Sequence, residues 1–372
     1  MKKKTLQLLT VLALSFALAA CGKEASVENN NASEKTDTEA GTEANTETEF
    51  VTEESEEPEE IREGYYRSEL TNEWIDESLK TQRPVAIMVD NEKKALPHYG
   101  LTQADVVYEM MNSTKNGKIT RLMALVKDWE KIERFGSIRS VRPTNFLLAA
   151  EWNAILVHDG GPFYIDEYAA QPYSSNISGG FSRIDNGKPR EFTEYVCTGD
   201  IEKRLKSYNY STEYSDSFAD AHYNFASENK PVDLSQDASS IPAELVDLPF
   251  PHNGTYLTYD ADTQLYYYHE YGEPHLDPQN DNAQLCFKNL LLQSCNYSVY
   301  DENGYMIFHV YGEMQPGYYI TNGQAIEIRW SKSTATDTTR YYDLDGNEIK
   351  INTGKTYIGI VPEEDWKNLV IE

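Results

Sequence analysis

The sequence predicts an α+β protein, with a mixed sheet in its N-terminal part and mostly antiparallel strands in its C-terminal part. Residues 85–157 contain four apolar runs of strand length and one segment with helical signals. From residue 252 onward, Tyr, Ile, Val and Thr are frequent and turn signals recur at short intervals. Of the 372 residues 40% are hydrophobic, which is enough apolar material for a substantial buried core.

Residues 1–20 have the pattern of a secretory signal peptide. Three lysines at positions 2–4 precede a mostly apolar run over residues 6–20, which is too short for an ordinary membrane-spanning helix. The run ends in Leu-Ala-Ala-Cys-Gly at positions 18–22, which resembles the lipobox of bacterial lipoproteins. The resemblance implies cleavage before Cys21, a diacylglycerol on its thiol, and a lipid-anchored chain at the cell membrane that faces outside the cytoplasm. The alternative is an ordinary signal peptide followed by a chance cysteine.

Residues 21–60 predict an acidic, disordered tether. Residues 22–60 contain 14 acidic and 2 basic side chains and almost no apolar ones. Such a segment buries too little apolar surface to offset the entropy lost on ordering, and its like charges favour extended conformations. We therefore expect the folded body to begin near Ile61 and to be held away from the membrane surface.

Residues 61–227 are predicted to form an N-terminal α/β domain. The run at residues 85–89 is apolar throughout, which is typical of a strand buried on both faces. Residues 143–151 predict a helix, because proline is favoured at the first helical position and apolar residues follow on one side. Strands are predicted at residues 85–89, 105–111, 119–126 and 154–157, and helices at residues 143–151, 163–170 and 201–208.

Residues 228–251 predict a polar, proline-containing connection, and residues 252–372 a β-rich companion domain. Asn-Gly or Asp-Gly pairs at positions 303–304, 322–323 and 345–346 indicate tight hairpin turns. Strands are predicted at residues 256–259, 265–271, 285–293, 297–300, 305–310, 325–330, 339–343, 348–351 and 356–361.

Several stretches of the chain carry a family resemblance. They are Arg-Pro-Val-Ala-Ile-Met-Val-Asp-Asn at 83–91, Gly-Leu-Thr-Gln-Ala-Asp-Val-Val-Tyr-Glu at 100–109, Ile-Thr-Arg at 119–121, Gly-Ser-Ile-Arg-Ser-Val-Arg at 136–142, Ala-Ile-Leu-Val-His at 154–158 with Gly160-Gly161, Tyr-Tyr-Tyr-His-Glu-Tyr-Gly at 266–272, Ile-Arg-Trp-Ser-Lys at 328–332, and Tyr-Asp-Leu-Asp-Gly at 342–346 leading to Gly-Lys-Thr at 354–356. In order and spacing they resemble the YerB-like lipoprotein family, which is widespread in Gram-positive bacteria.

The resemblance covers most of residues 80–361. It implies an α+β fold similar to a three-layer β-β-α sandwich, in which a domain of unknown function precedes its β-rich companion, and it implies no particular reaction. One departure stands out. After Phe-Ser-Arg at 181–183 the family usually has a Pro-His-Asn element, whereas this chain has Pro-Arg-Glu at 189–191.

Residues 139–143, Arg-Ser-Val-Arg-Pro, form the strongest candidate site. Guanidinium groups bind carboxylate or phosphate through two parallel hydrogen bonds, and a helix that begins at Pro143 would attract negative charge to the same place. Such a cluster is unusual in a chain whose formal net charge is −28. The predicted ligand-binding residues are Arg121, Arg139, Ser140, Arg142 and Arg183.

Two other interpretations of these residues remain open. The sequence favours a buried internal network in which Asp90, Asp105 or Glu109 neutralises the arginines, and such a network can also line a cleft. A catalytic interpretation uses His158, at the end of a buried strand, as a general base with Ser140 or Ser137 and an acid such as Asp90. However, residues 136–140 lack a nucleophile-elbow pattern, so His158, Asp90 and Ser140 are only candidates for catalysis.

Other chemistry has little support in the sequence. The seven histidines are scattered without an H-E-x-x-H pair, so we expect neither a metal site nor a cofactor. Cys286 and Cys295 are predicted to lie on facing strands and to be able to form a disulfide outside the cell, which leaves Cys197 unpaired. With 61 acidic and 33 basic side chains, general nucleic-acid binding is excluded.

Two classes of function remain. The first is a non-catalytic, membrane-anchored lipoprotein that binds an anionic ligand, a peptidoglycan fragment or a wall-synthesis protein through an arginine-rich cleft. The alternative is an extracytoplasmic hydrolase or lyase that acts on cell-wall polymer with His158 as the general base. We favour binding, because the polar cluster is rich in arginine and lacks a recognisable nucleophile or paired acid.

Overall fold

The computed structural model describes residues 61–216, 218 and 222–372, so the predicted signal peptide, Cys21 and the acidic tether lie outside the described residues. The helices are α1 (Pro143–Glu151), α2 (Asp166–Ala169), which a 3-10 turn at Phe163–Ile165 precedes, and α3 (Asp200–Tyr208). None of the described helices has the length and apolar content that a membrane crossing needs.

The strands fall into two runs along the chain. Those before residue 200 are β1 (Tyr65–Arg67), β2 (Trp74–Asp76), β3 (Val85–Asp90), β4 (Val106–Met111), β5 (Thr120–Val126), β6 (Arg134–Gly136), β7 (Ile155–His158), β8 (Asn176–Ser178), β9 (Ser182–Arg183) and β10 (Glu194–Cys197). Those after residue 240 are β11 (Ile241–Pro242), β12 (Leu245–Asp247), β13 (Tyr256–Asp260), β14 (Leu265–Glu270), β15 (Glu273–Pro274), β16 (Leu276–Asp277), β17 (Ala283–Gln284), β18 (Cys286–Phe287), β19 (Asn289–Cys295), β20 (Tyr297–Val299), β21 (Met306–Phe308), β22 (Gly312–Thr321), β23 (Gln324–Lys332), β24 (Arg340–Tyr342), β25 (Thr356–Pro362) and β26 (Val370–Ile371).

Strands from both halves of the chain share one central sheet. Its order is β11-β23-β22-β19-β25-β4-β5-β3-β7-β8, with β24 paired to β23. β25 pairs in parallel with β4, which joins the two halves, while β5 lies antiparallel between β4 and β3. A second, antiparallel sheet has the order β15-β14-β13-β12-β26, with β18 paired to β14. The predicted α+β class, with a mixed sheet and antiparallel strands, is confirmed.

Two neighbouring residues of β4 show how the layers are stacked. Successive side chains of a strand point to opposite faces of its sheet. The Tyr108 hydroxyl donates to Oε1 of Glu151 on α1 (2.6 Å), while Glu109 accepts from the hydroxyl of Tyr268 on β14 of the second sheet (3.0 Å). The central sheet is therefore covered by α1 on one face and by the six-stranded sheet on the other, and every residue of β3, β4 and β5 is buried.

One strand prediction was wrong, and the longest strand was not predicted. The ten-residue β22 was missed, because Gly312, Pro316 and Gly317 interrupt its pattern; Pro316 is tolerated because β19 pairs only with the part of β22 from Gly317 onward. Residues 348–351 form no strand and contribute only isolated bridges at Glu348 and Ile351.

The segment at residues 137–142 is placed by the edge of β3. Met88 O accepts from the backbone N–H of Arg139 (3.0 Å), and the Asp90 N–H donates to Ser137 O (3.1 Å). The segment then enters α1 at Pro143. β3 and β4 run in the same direction, so their carboxyl ends meet at this edge together with the amino end of β5.

Candidate functional site

A cavity of about 310 Å³ opens where β3 and β4 end and β5 begins. The acids Asp90, Glu92 and Glu191 line it, together with four of the five predicted ligand-binding residues: Arg121, Arg139, Ser140 and Arg142. The structure thus brings Arg121, which is distant in sequence, to the cluster at residues 139–142.

Arg121 and Arg142 converge on Ser140. A terminal nitrogen of Arg121 donates to the Ser140 carbonyl (2.7 Å) and to its hydroxyl oxygen (3.0 Å). A terminal nitrogen of Arg142 donates to the same hydroxyl (3.2 Å) and to Val141 O (2.8 Å). The two arginines are 7% and 6% exposed, and no carboxylate of the described residues forms an ion pair with either. Each also keeps a buried Nε without a hydrogen-bond partner.

Arg139 is bound differently from the other two arginines. Its Nε lies 2.9 Å from Asp90 Oδ2, and its terminal nitrogen donates to Glu191 Oε2 (2.6 Å). The internal network considered above therefore exists for Arg139 and Asp90. Arg121 and Arg142, however, have no such acidic partner among the described residues, and their positive charges face the cavity.

Burial makes the charges of these two arginines costly. Burial, together with the smaller effect of the positive charge of Arg142, lowers the pKa of Arg121 to about 9, although the negative charge of Asp90 opposes the shift. Burial likewise lowers the pKa of Arg142, against the smaller opposing effect of Tyr305. Two guanidinium groups that repel one another in a desolvated site favour the entry of an anion, because its charge would offset both effects.

The amino end of α1 offers fewer free backbone N–H donors to an anion than the sequence suggests. Pro143 has no N–H, and the side-chain oxygen of Asn145 accepts the backbone N–H of Arg142 (2.8 Å). The Asn145 N–H itself donates to Arg142 O (3.0 Å). The N–H groups of Arg142 and Asn145 at this helix end already have partners within the segment. Guanidinium groups rather than free backbone N–H groups are therefore the donors of this cavity.

Arg183 and His158 lie outside the cavity. Arg183 forms ion pairs with Glu194 and Asp159, which neutralise it. His158 packs edge-on against Phe146 of α1, and its ring nitrogens contact Gly160 O (2.9 Å) and Asn176 Oδ1 (3.3 Å). Burial lowers its pKa. No hydroxyl or carboxylate of the described residues is hydrogen-bonded to its ring, so His158 does not form the considered catalytic arrangement with Ser140, Ser137 and Asp90.

The sequence reasoning missed several lining residues, of which Tyr305, Asn112 and Glu191 are the most informative. The guanidinium carbon of Arg142 stacks 3.8 Å from the ring centroid of Tyr305, which comes from the other half of the chain, and Asn112 follows β4. Nothing in the sequence marks either residue. Glu191 does have a signal, because it lies at the position where the chain departs from the Pro-His-Asn element of the family.

The predicted pairing of Cys286 with Cys295 is not formed, and Cys197, Cys286 and Cys295 are free thiols. Cys286 and Cys295 lie at opposite ends of one extended stretch formed by β18 and β19, not on facing strands. Seven residues of β19 alone span roughly 20 Å at about 3.3 Å per residue. A disulfide needs Cα atoms within about 7 Å.

A fully buried carboxylate, Glu109, ties the two sheets together beside this edge. Its Oε1 accepts from Thr120 Oγ1 (2.6 Å) and Thr255 Oγ1 (2.9 Å), and its Oε2 accepts from the hydroxyls of Tyr268 (3.0 Å) and Tyr357 (2.8 Å). Burial nevertheless raises its pKa to about 7.

Three residues that could hold a metal ion meet nearby, although the sequence predicted no metal site. His98, Glu270 and His275 are all buried, and one ligand atom from each can be chosen so that all three lie within 4.8 Å of one another. His98 Nε2 lies 2.6 Å from Asp90 O, which links this cluster to the acid that pairs with Arg139. The histidines are 177 residues apart in the chain, so no local motif marks them.

Comparison with known proteins identifies the family. Residues 70–211 match the model of the N-terminal domain, and residues 246–358 that of the C-terminal domain, of the family described as "Protein of unknown function (DUF3048)". The chain belongs to the DUF3048 family. The family description names no activity, ligand or partner.

The named relatives of this family come from Bacillus subtilis. A protein of strain 168 named "Putative lipoprotein YerB" is 24% identical over 309 residues, which cover 80% of this chain and 87% of the relative. The crystal structure of the YerB protein from Bacillus subtilis superposes with a TM-score of 0.68 at 22% identity, covering 82% of this chain and 99% of that one. The resemblance to YerB-like proteins is confirmed, and the structural likeness shows a shared fold.

Proposed function

We propose that this protein is an extracytoplasmic lipoprotein that binds a small anionic ligand in the arginine-lined cavity. The observation that carries the proposal is the pair Arg121 and Arg142. Both are almost buried, both line the same cavity, and neither has an acidic partner among the described residues. A buried charge without a partner costs several kcal/mol, in the range of about 3–5 kcal/mol when the partner has been removed, so a bound anion is the natural complement.

The chemistry of the cavity wall favours a carboxylate or phosphate group on a ligand with further polar groups. The two arginines and the Ser140 hydroxyl between them offer donors in one place. Tyr305 and Phe192 add aromatic surface, and Asn112 adds an amide. A volume of about 310 Å³ is at the lower end of small-molecule sites, which supports a ligand such as a peptidoglycan fragment over a whole protein surface.

A hydrolase or lyase has less support. The proposed base, His158, is buried against α1 and has a lowered pKa, and its ring contacts a carbonyl and an amide oxygen. Asp90 pairs with Arg139, and Ser140 accepts from two arginines, so the three catalytic candidates do not form a relay. The arrangement supports recognition of charge, and we propose binding without turnover.

The proposal includes anchoring of the chain to the membrane through a lipid on Cys21. The relative from Bacillus subtilis is named a lipoprotein, and the Leu-Ala-Ala-Cys-Gly sequence at positions 18–22 supports the same chemistry at Cys21. A lipid on Cys21 and an acidic tether would present the cavity to wall components outside the membrane.

Calorimetric titration tests the binding proposal. The mature chain carrying Cys21→Ser, which avoids the lipid, is titrated with a purified muropeptide bearing free carboxylates and, separately, with inorganic phosphate. Charge-assisted hydrogen bonds are each worth about 1.5–3 kcal/mol, and about 1.4 kcal/mol is a factor of ten in affinity. Arg142→Gln and Arg121→Gln are therefore expected to weaken binding at least about tenfold.

A matched control separates binding from folding. Arg329 on β23 is partly exposed, bonds only to a backbone carbonyl among the described residues and lies outside the cavity, so Arg329→Gln should bind like the parent chain. The melting temperature of each variant is measured in parallel. If neither probe binds the parent chain, or if Arg142→Gln and Arg329→Gln bind equally well, the anion-site proposal is wrong.

A further inference from the structure

Two histidines and one glutamate from different parts of the chain meet in the interior. His98 lies in the segment between β3 and β4, Glu270 ends β14, and His275 follows the short strand β15. Their exposures are 0%, 2% and 3%. The rings of His98 and His275 have centroids 5.0 Å apart, and one ligand atom of each of the three side chains lies within 4.8 Å of the other two.

Each of the three side chains keeps one polar atom without a partner. Among the described residues, the buried atoms His98 Nδ1, His275 Nε2 and Glu270 Oε2 have no hydrogen-bond partner. Burial raises the pKa of Glu270 to about 7 against the smaller opposing effects of His98 and Asn253, and the amide hydrogens of Asn253 are donated to Asn91 O (2.6 Å) and the Tyr271 hydroxyl (3.0 Å). Three unsatisfied buried atoms in one cluster are unusual, because such atoms nearly always find a partner.

The contacts of the histidines select the tautomers that bind metals. His98 Nε2 lies 2.6 Å from the Asp90 carbonyl, which only accepts, so the proton is on Nε2 and Nδ1 carries a lone pair. His275 Nδ1 lies 2.7 Å from Glu270 Oε1, so these two atoms face the same point and can both be ligands of one ion when Nδ1 carries the lone pair. Histidine ligands of metals commonly donate their other N–H to a carbonyl or carboxylate, as His98 does to Asp90 O.

No Lys or Arg of the described residues forms an ion pair with Glu270. Asp277, two residues after His275, accepts from Gly100 N, Thr102 and Gln279 N. Burying the Glu270 carboxylate without a cation is unfavourable, and a divalent ion at this cluster would offset its charge.

We propose that His98, Glu270 and His275 bind one divalent first-row transition-metal ion, with Zn²⁺ the best match. Two imidazoles and one carboxylate are an established donor set for zinc, and water completes the fourth position. Zinc bonds of about 2.0–2.2 Å place tetrahedral ligand atoms roughly 3.4 Å apart, so shifts of about 1 Å would close the site. The ion would clamp the segment after β3 to the β14–β15 hairpin. This site is separate from the anion cavity and does not depend on the proposed function.

Metal analysis after refolding tests the proposal. The untagged chain carrying Cys21→Ser is unfolded in EDTA, refolded with Zn²⁺ or Co²⁺, and desalted. We expect one metal ion per chain by elemental analysis, and visible Co²⁺ absorption bands of a four- or five-coordinate site. His275→Asn and Glu270→Gln should lower the affinity by at least about 100-fold, since even outer-shell partners are worth about 10–100-fold.

His222→Asn is the matched control, because His222 is equally buried but stacks on Trp152 away from the cluster. It should retain one metal ion per chain. Should His275→Asn fail to fold, the parent chain still decides the question, because its melting temperature should rise with Zn²⁺ and fall with EDTA. A refolded parent chain without metal, or cluster variants that retain as much metal as the parent, would show that buried protons or water satisfy these three side chains and would overturn the proposal.

Discussion

Replacing Glu109 by Gln should remove a large part of the pH dependence of stability. Glu109 is fully buried on β4, and burial raises its pKa from 4.5 to about 7 despite hydrogen bonds from Thr120 and Tyr357. The negative charge of Glu270 raises the pKa further. The folded state therefore holds a proton on Glu109 that the unfolded state releases at a lower pH.

The sign and size of the effect follow from linkage. The stabilising contribution of the protonated carboxyl group is fully present below pH 4.5 and is lost as the pH rises to about 7. One pKa unit corresponds to about 1.4 kcal/mol, so a shift of roughly 2.5 units amounts to about 3 kcal/mol. Gln cannot ionise and keeps an oxygen acceptor for the threonines, while the two tyrosine hydroxyls can accept from its amide.

Urea denaturation at several pH values between 4.5 and 8 measures the difference. The free energy of unfolding of Glu109→Gln, relative to the parent chain, should rise by about 3 kcal/mol over this range. EDTA is present throughout, so that metal at the His98 cluster does not contribute. Glu130→Gln, at an exposed position, is the control and should run parallel to the parent chain. If the free energy of unfolding of Glu109→Gln also varies with pH in parallel with that of the parent chain, the reasoning is refuted.

Three further predictions address the anchor, the core and the cavity. Cys21→Ser should move the chain from the membrane fraction to the soluble fraction; a variant that still sediments with membranes would contradict the lipid anchor. Lys332→Met should lower the free energy of unfolding by about 3–5 kcal/mol in urea, because it leaves the buried Glu151 without its ion-pair partner 2.9 Å away; a loss below about 1 kcal/mol would show that the pair contributes little. Glu191→Gln should tighten muropeptide binding in calorimetry, because it frees one side of Arg139 for the ligand; unchanged affinity would place Arg139 outside the binding contacts.

The strands nearest the site were predictable because their signals are local. An uninterrupted apolar run such as residues 85–89 has few alternatives to a buried strand, and Pro143 marks a helix start by its fixed backbone angle. Local signals did not predict β22, because Gly312 and Pro316 interrupt its strand pattern. Its extended conformation depends on pairing with β19 and β23. Pairing across a sheet is a long-range property, and a one-strand pattern does not contain it.

The sequence alone indicated the arginines of the candidate site but not its other lining residues. The cluster at residues 139–142 was visible because arginines are scarce in a chain of net charge −28, and Arg121 follows from its place at the start of a strand. Residue counts do not reveal which arginine has an acidic partner. The tertiary structure paired Arg183 with Glu194 and Arg139 with Asp90, and left Arg121 and Arg142 for the cavity.

The cluster of His98, Glu270 and His275 shows the same division between local sequence and tertiary packing. His98 and His275 share no motif spacing, and only the packing of the second sheet over β3 and β4 brings them together with Glu270. The sequence by itself determined the class of fold, the leader pattern and the arginine cluster, because each depends on neighbouring residues or on composition. The tertiary structure decided which charges are paired and which buried polar atoms remain unsatisfied, because both depend on contacts between residues of different strands and loops.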